Sequence, residues 1–212
     1  MRYIDNQEEL GGFFTEEYYK SINYADYESR KNKYKLTAND IVSHFNPICL
    51  HKPNASVLDY GCAIGMLLDG IRLKAPHLHL HGYDISKWAI NNSVSNDLEL
   101  TNDPAVLRKH HTLTTALDVF EHMFDDDLVE VLGQLKTETL LVRIPVKVNS
   151  DQTNDFHLEV SRRDRSHVNC KTKGEWIDFI EEQGYQYAET LNLFTIYDAK
   201  GCFCGYFKKV DI

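Results

Sequence analysis

The feature that most constrains the fold is a short stretch, residues 56–68, in which an apolar strand, a tight turn and a helical pattern follow one another. The strand ends in Asp59, and Gly61 and Gly65 bracket the turn. Only glycine takes positive φ freely and lacks a Cβ, so the backbone of this turn can approach a bound small molecule closely. A carboxylate at the strand end repels a pyrophosphate but attracts an ammonium group. The stretch therefore predicts a ligand-binding turn that favours a cationic group beside Asp59.

From residue 56 onward, strand and helix patterns alternate. The expected strands lie at about 56–60, 78–84, 97–101, 112–117 and 139–144. The expected helices lie at about 64–74, after Ser86, after Asp125 and at 171–183. Two further β-rich runs, 185–197 and 203–210, flank a turn at 198–201 and predict a hairpin. Such βα units followed by a hairpin indicate an α/β fold: a Rossmann-like, seven-stranded, mostly parallel sheet with helices on both faces and a C-terminal antiparallel hairpin.

Residues 1–54 precede this alternation and are polar and rich in aromatic side chains. Periodic residues in their second half indicate a helix that leads to Pro47. We predict an N-terminal helical extension over 1–54 and a ligand-binding domain over 55–212. The extension either packs its aromatic side chains against the domain or forms a lid over the ligand. Tyr24 and Tyr27 are its candidate substrate contacts.

Composition argues against several classes of function. The net charge of −9 and the pI of about 5.5 disfavour a broad surface for nucleic acid. We find no secretory signal and no run of about eighteen apolar residues, so we expect a cytoplasmic protein that does not bind membranes. The five scattered cysteines fit reduced thiols, and the pair Cys202 and Cys204 is a poor zinc signature.

A second acidic residue limits the class of ligand that the site could bind. Asp84 ends the second predicted strand and lies about 20 positions after Gly65, the spacing at which an acid accepts hydrogen bonds from ribose hydroxyls. A dinucleotide fingerprint would need a glycine where Met66 stands. The pattern therefore favours a nucleoside-bearing ligand other than NAD.

Taken in order, these segments resemble the class I S-adenosylmethionine-dependent methyltransferases, over about residues 55–210. Residues 57–65 look like the first motif of that family, with Ala63 where glycine is commoner, and residues 82–86 look like its ribose-binding segment. Residues 117–122 resemble the fourth-strand motif of a subgroup that ends in D-V-x-E-H. Residues 140–145 and 166–169 are similar to later segments of the same subgroup.

The resemblance implies S-adenosylmethionine as the cofactor and S-adenosylhomocysteine as the product. The methionine part of the cofactor would lie over the turn, against Asp59, Tyr60, Gly61, Cys62, Ala63 and Gly65. Asp84 would bind the ribose hydroxyls and Ile85 would contact the adenine, with Asp103, or Asn102 beside it, as the candidate for a further adenine contact. Asp118 and Val119 would line the side of the methyl donor.

His122 is the candidate general base, since an imidazole titrates near neutral pH, and Glu121 is the candidate catalytic residue beside it. The alternative is that both residues only cap or orient the following segment. Similar ubiquinone-type and small-RNA-terminal O-methyltransferases use E-x-x-E-H as metal ligands, and Asp118, Glu121 and His122 have that spacing. Aspartate is shorter than glutamate and no further ligand is evident, so we predict no metal.

The predicted reaction is methyl transfer to an oxygen or nitrogen of a small-molecule partner: a sugar, a sugar nucleotide or a natural product. Arg143, His157 and His167 are further candidate substrate contacts. Arg162, Arg163 and Arg165 form either a solvated loop or a site for an anionic substrate. The alternatives are a methyltransferase acting on RNA or protein, and a non-catalytic protein that binds S-adenosylmethionine. The oligomeric state stays open.

Overall fold

The computed structural model describes residues 12–20, 30–149 and 155–210, and one seven-stranded sheet dominates this part of the chain. The strands are β1 (Ser56–Tyr60), β2 (His79–Tyr83), β3 (Glu99–Thr101), β4 (His111–Leu117), β5 (Thr137–Pro145), β6 (Tyr185–Thr190) and β7 (Cys202–Lys209). Their order across the sheet is β3-β2-β1-β4-β5-β7-β6. β1 to β5 run parallel, and β7 is antiparallel to both β5 and β6. This architecture confirms the predicted fold class.

Helices cover both faces of the sheet. They are α1 (Glu16–Tyr19), α2 (Lys31–Phe45), α3 (Met66–Lys74), α4 (Lys87–Asn91), α5 (Asp125–Gln134), α6 (Glu159–Arg163) and α7 (Lys173–Glu182). A π-helical turn, Asn46–Leu50, follows α2, and 3₁₀ turns occupy Pro104–Arg108 and Phe120–His122. None of the helices described is long and apolar enough to cross a membrane.

Alternate residues of β1 point into the two halves of the core, as the pleat of a strand requires. Val57 packs in a buried cluster with Ile41 of α2 and Ile71 of α3. Leu58 packs in the opposite cluster with Leu132 of α5 and Ile180 of α7. The central strands are therefore buried on both sides, and their polar side chains reach a ligand only at the strand ends.

Several helix starts follow their expected chemistry. Ser86 caps α4, with its Oγ accepting a hydrogen bond from the Ala89 N–H at 3.1 Å. Thr172 and Glu175 form a capping box at α7. Asp125 to Asp127 occupy the first turn of α5, where carboxylates stabilise the positive end of the helix dipole.

The hairpin differs from its prediction. β6 ends at Thr190 instead of extending to 197, and residues 191–201 form a longer connection with only isolated bridges. Asp198 stabilises this connection, because its main-chain N–H donates to the Leu191 carbonyl at 2.8 Å and its Oδ1 accepts from the Cys204 N–H at 3.2 Å. The predicted turn at 198–201 is present and ends at Gly201, with φ of +87°.

The N-terminal region packs closely against the domain. α2 contributes Ile41 and Phe45, both fully buried, to the cluster that includes Val57. Gly70 of α3 allows this approach, since a Cβ at that position would lie 2.8 Å from the Cβ of Ala38. The division of the chain at residue 54 stays a prediction. Tyr24 and Tyr27 lie outside the described residues.

Candidate functional site

A cavity of about 650 Å³ lies beyond the carboxyl ends of β1, β2, β4 and β5. This is where an open α/β sheet binds its ligand, because the strand order reverses beside β1. Volumes of about 300–1,000 Å³ are usual for small-molecule and cofactor sites. The predicted cofactor residues in its wall are Asp59, Tyr60, Gly61, Cys62, Ala63, Asp84, Ile85, Asp118 and Val119.

The turn after β1 adopts the left-handed geometry that its glycines predict. Gly61 has φ of +78°, Ala63 of +48° and Gly65 of +85°. A Cβ on Gly61 would overlap the side chain of Val119, so the turn and the loop after β4 are in direct contact. Gly65 does not line the cavity. It precedes α3 and packs under Leu98 and Leu100, either of which a Cβ would meet at 2.9 Å.

Asp59 is buried at the end of β1, and its Oδ1 accepts a hydrogen bond from Thr115 Oγ1 at 2.6 Å. Burial raises the pKa of this carboxyl group to about 7, against the opposing effect of the Thr115 hydroxyl. A cation that enters the cavity would restore the ionised form. The geometry therefore suits the ammonium group that the sequence predicts.

Asp84 is also buried, and it links the turn to the next helix. Its Oδ2 accepts from the Ala63 N–H at 2.7 Å and its Oδ1 from the Ser86 N–H at 2.8 Å. Burial raises the pKa of the carboxyl group to about 6, while these two hydrogen bonds lower it. A carboxylate has about four acceptor positions. Two therefore remain for hydroxyl groups of a ligand.

The structure does not bring Asp103 into this wall. Its Oδ1 accepts from the Ala105 N–H at 2.9 Å and caps the 3₁₀ turn that follows, and its side chain is exposed. Pro104, Leu107 and Tyr83 line that end of the cavity instead. The ring of Tyr83 stacks on that of Tyr60 with centroids 5.3 Å apart. Sequence reasoning missed Tyr83, although it lies directly before Asp84.

His122 faces the cavity from the turn after β4, and its hydrogen bonds define its tautomer. Its Nδ1 lies 3.2 Å from the Ser166 carbonyl oxygen and 2.9 Å from Ser166 Oγ. A carbonyl only accepts, so Nδ1 carries the proton and the lone pair is on Nε2. Ser166 Oγ in turn donates to Asp164 Oδ1 at 2.5 Å. Burial and the neighbouring His167 lower the pKa of His122 to about 4. The imidazole is therefore neutral near pH 7.

Glu121 and His122, which are buried, and His167, which is partly buried, form one cluster with their ligand atoms within 4.8 Å of one another. Main-chain bonds create the proximity, since the N–H groups of Val168 and Asn169 both donate to the Glu121 carbonyl, at 2.9 and 3.0 Å. Neither side-chain oxygen of Glu121 has a hydrogen-bond partner among the described residues. Burial raises the pKa of this carboxyl group well above its usual value and lowers that of His167.

The metal-binding alternative in the sequence analysis named Asp118, Glu121 and His122 as its ligands. In the structure Asp118, with φ of +58°, binds Arg143 through both carboxylate oxygens instead. His167 contributes the third ligand atom instead. Sequence reasoning could not find this set, because 45 positions separate His122 from His167.

Arg143 lines the cavity as expected, at the end of β5 opposite Leu117. Burial opposes its positive charge, but the Asp118 carboxylate outweighs that effect and raises the pKa of Arg143 further above its usual value. Lys33 and Tyr34 of α2 line the same end. The sequence had not selected Lys33.

His157 and the arginine cluster do not line the cavity. The ring of His157 packs over Gly201, which has no Cβ to block it. Arg162 donates to the carbonyls of Phe156 and His157, at 3.0 and 3.3 Å, and Arg163 pairs with Glu159. The structure therefore favours the solvated-loop interpretation for Arg162 and Arg163.

Aromatic residues of the N-terminal segment cover the cavity. The rings of Phe14 and His122 meet edge to face, with centroids 5.4 Å apart. Tyr18 donates to Asp164 Oδ2 at 3.3 Å, and Ser86 Oγ donates to the Phe14 carbonyl at 2.5 Å. Residues 12–20 thus touch both the Asp84 end of the cavity and the His122 end.

The sheet order, the glycine turn and the two buried acids fit a methyltransferase of the S-adenosylmethionine-dependent class. A family model described as a methyltransferase domain matches residues 29–190, and the chain belongs to that family. No curated protein sequence matches the chain significantly.

Solved structures share the fold at low sequence identity. The mitomycin 7-O-methyltransferase MmcR aligns with a TM-score of 0.69 and 13% identity, over 97% of this chain and 61% of MmcR. The magnesium protoporphyrin IX methyltransferase ChlM from Synechocystis PCC 6803, with bound SAH, aligns with a TM-score of 0.65 and 14% identity, over 96% of this chain and 100% of ChlM. CalO1, a methyltransferase in calicheamicin biosynthesis, aligns with a TM-score of 0.62 and 12% identity, over 91% of this chain and 56% of CalO1. The chain thus spans less than two thirds of MmcR and CalO1.

The assignment to the D-V-x-E-H subgroup stays a prediction.

Proposed function

We propose that the chain transfers the methyl group of S-adenosylmethionine to an oxygen or nitrogen atom of a small molecule, with His122 as general base. The observation that carries the proposal is the tautomer of His122. The Nδ1 proton is donated to Ser166, which Asp164 orients, so the lone pair is on Nε2 of a residue that lines the same cavity as Asp59 and Asp84.

The cofactor would be oriented by the two buried acids. Asp59 would bind its ammonium group, and the free acceptor positions of Asp84 would bind the ribose hydroxyls. The left-handed turn between them leaves no side chain in the way at Gly61. Val119 would lie on the side of the methyl donor, since it packs over this turn.

The chemical step would be an in-line displacement. The acceptor atom attacks the methyl carbon, the bond from that carbon to sulfur breaks, and the acceptor proton passes to His122 Nε2. Alignment of the two reactants supplies most of the acceleration, and the base typically adds about 10²–10⁴-fold.

A small-molecule acceptor is supported by the enclosure of the site. Phe14 and Tyr18 lie over the His122 end of the cavity, and Leu158 and Val160 line its outer part. The contacts of residues 12–20 support the lid that the sequence analysis offered as one alternative for this region. The names of MmcR and CalO1 point to small-molecule chemistry in proteins of similar fold. The balance of charge on the chain gives no support to an RNA acceptor.

The test is a His122→Ala variant, compared with His157→Ala as a matched control outside the cavity. We expect His122→Ala to lower turnover by about 10²–10⁴-fold on an acceptor found by screening small alcohols, phenols and amines with radiolabelled cofactor. S-adenosylhomocysteine affinity, measured by calorimetry, should stay within about twofold. His157→Ala should change neither quantity. Unchanged turnover in His122→Ala would show that His122 is not the general base.

A second role for the cluster is favoured by the unpartnered carboxylate of Glu121. Glu121, His122 and His167 fit a divalent cation, because two neutral imidazoles and one carboxylate are a common donor set. Paramagnetic Mn²⁺ titrated against the chain should then bind at about one ion per chain, and Glu121→Gln should abolish that binding while Asp118→Asn retains it. Absence of Mn²⁺ binding, with turnover unaffected by a chelator, would contradict the metal role, and the general base would then be the one role proposed for the cluster.

A further inference from the structure

A basic run opens α2, at a place where helices usually carry acids. Arg30, Lys31, Lys33 and Lys35 fall within six positions of a chain whose net charge is −9. The first turn of α2 contains no acidic residue. Cations there oppose the helix dipole, whose positive end favours a bound anion. Arg30 and Lys33 line the cavity.

Arg143 lies across the same end of the cavity. Its Nε and Nη2 donate to Asp118, which leaves the N–H groups of Nη1 for another acceptor. Lys33 experiences the charges of both members of this pair, and it donates to no acceptor in the part of the chain that is described. Lys33 is exposed as well as lining the cavity, so it lies where the cavity opens to solvent.

The acids near Arg143 and His122 already have partners or are buried. Asp118 is bound to Arg143. Glu121 is fully buried, and its burial favours the neutral form. Asp164 accepts hydrogen bonds from Ser166 and Tyr18. Among the described residues, Lys33 Nζ and Nη1 of Arg143 therefore remain available to an anionic ligand in this cavity.

We propose that the methyl acceptor carries an anionic group, a carboxylate or a phosphate, which binds between Lys33 Nζ and the free edge of the Arg143 guanidinium. The reactive atom of the acceptor then lies toward His122. This inference rests on the proposed function and adds the chemical class of its substrate.

The test uses the full chain saturated with S-adenosylhomocysteine and three probes: benzoate, its uncharged isostere benzamide, and inorganic phosphate. Binding is followed through the amide NMR signals of residues 30–37 and 143–144 at constant ionic strength. We expect saturable shifts with benzoate and phosphate, and binding of benzamide at least about tenfold weaker than that of benzoate.

Variants of α2 give the matched comparison. Lys33→Gln should weaken binding of both anions by about threefold to tenfold, whereas Lys33→Arg should restore it. Lys35→Gln, on the same helix but outside the cavity wall, should have no effect. Equal binding of benzoate and benzamide, no saturable anion binding, or identical affinities in Lys33→Gln and Lys35→Gln would each overturn the proposal.

These experiments distinguish failure of the anionic-acceptor proposal from failure of the proposed function. Loss of S-adenosylhomocysteine binding in the same samples would contradict the cofactor site. Anion binding at Lys33 together with methyl transfer only to RNA or protein would contradict the small-molecule acceptor. Transfer to a neutral small molecule, without anion binding at Lys33, would contradict only the anionic class.

Discussion

At the scale of single residues, two buried carboxyl groups form the cofactor end of the cavity. The Asp59 carboxyl group accepts a hydrogen bond from the Thr115 hydroxyl, whereas the Asp84 carboxyl group accepts hydrogen bonds from two main-chain N–H groups. Burial raises the pKa of both carboxyl groups, to about 7 and about 6. A carboxyl group that is protonated in the free protein must ionise to pair with an ammonium group. Cofactor binding should therefore release protons between about pH 5 and 7.

Thr115→Val tests the ionisation of Asp59. S-adenosylhomocysteine affinity should rise with pH through about 7, because deprotonated Asp59 is the binding form. Loss of the Thr115 donor raises the pKa of Asp59 further, so the rise should move to higher pH and affinity at pH 7 should fall by about tenfold. Calorimetry over pH 5.5–8.5, in buffers of different ionisation enthalpy, measures both the affinity and the proton release.

The matched control is Thr114→Val. Thr114 precedes Thr115 on β4, and its buried hydroxyl has no hydrogen-bond partner among the described residues. Valine there should leave the pH profile unchanged. Coincident profiles for the two variants would show that Asp59 does not control cofactor affinity.

At the scale of elements, the short helix α4 connects the cofactor end to the N-terminal segment. Ser86 caps α4 through its Oγ, which also donates to the Phe14 carbonyl. Trp88 of α4 stacks on Tyr19 of α1, with ring centroids 5.1 Å apart. The start of α4 therefore fixes both the loop after Asp84 and the covering segment.

Ser86→Ala should lower the free energy of unfolding by about 1 kcal/mol through loss of the cap. It should also weaken S-adenosylhomocysteine binding, because the hydrogen bond from Ser86 to the Phe14 carbonyl is lost. Urea denaturation and calorimetry measure the two effects. Thr172→Ala removes a comparable cap from α7 and should destabilise the chain by a similar amount with unchanged affinity. Equal affinities in both variants would mean that the α4 cap has no part in cofactor binding.

At the scale of the whole molecule, the strand order brings distant parts of the chain to one edge. Asp59, Asp84, Asp118 and Arg143 follow or end β1, β2, β4 and β5, whose carboxyl ends meet because these strands are parallel. The segment 155–169 and α2 close the cavity from outside the sheet. A ligand in this cavity therefore contacts elements from distant parts of the chain.

Cofactor binding should accordingly stabilise the whole fold. S-adenosylhomocysteine at about 100 times its dissociation constant should add about 2.7 kcal/mol to the free energy of unfolding, seen as a higher melting temperature. NAD should give no stabilisation, since Met66 stands where a dinucleotide turn needs glycine. Equal stabilisation by NAD would contradict the S-adenosylmethionine assignment.

The sequence by itself determined the features that depend on neighbouring residues: the strand, turn and helix around Gly61, the acids at the ends of β1 and β2, and the cap at Ser86. These follow from backbone sterics, hydrophobic periodicity and short-range hydrogen bonds. Only the tertiary structure placed Ser166 and His167 beside His122, and Lys33 opposite Arg143. The physical reason is that these contacts arise when loops and helices from distant parts of the chain pack at one sheet edge. Asp103 lies outside the cavity wall because it caps the 3₁₀ turn that follows it, and His157 lies outside because its ring packs over the distant Gly201.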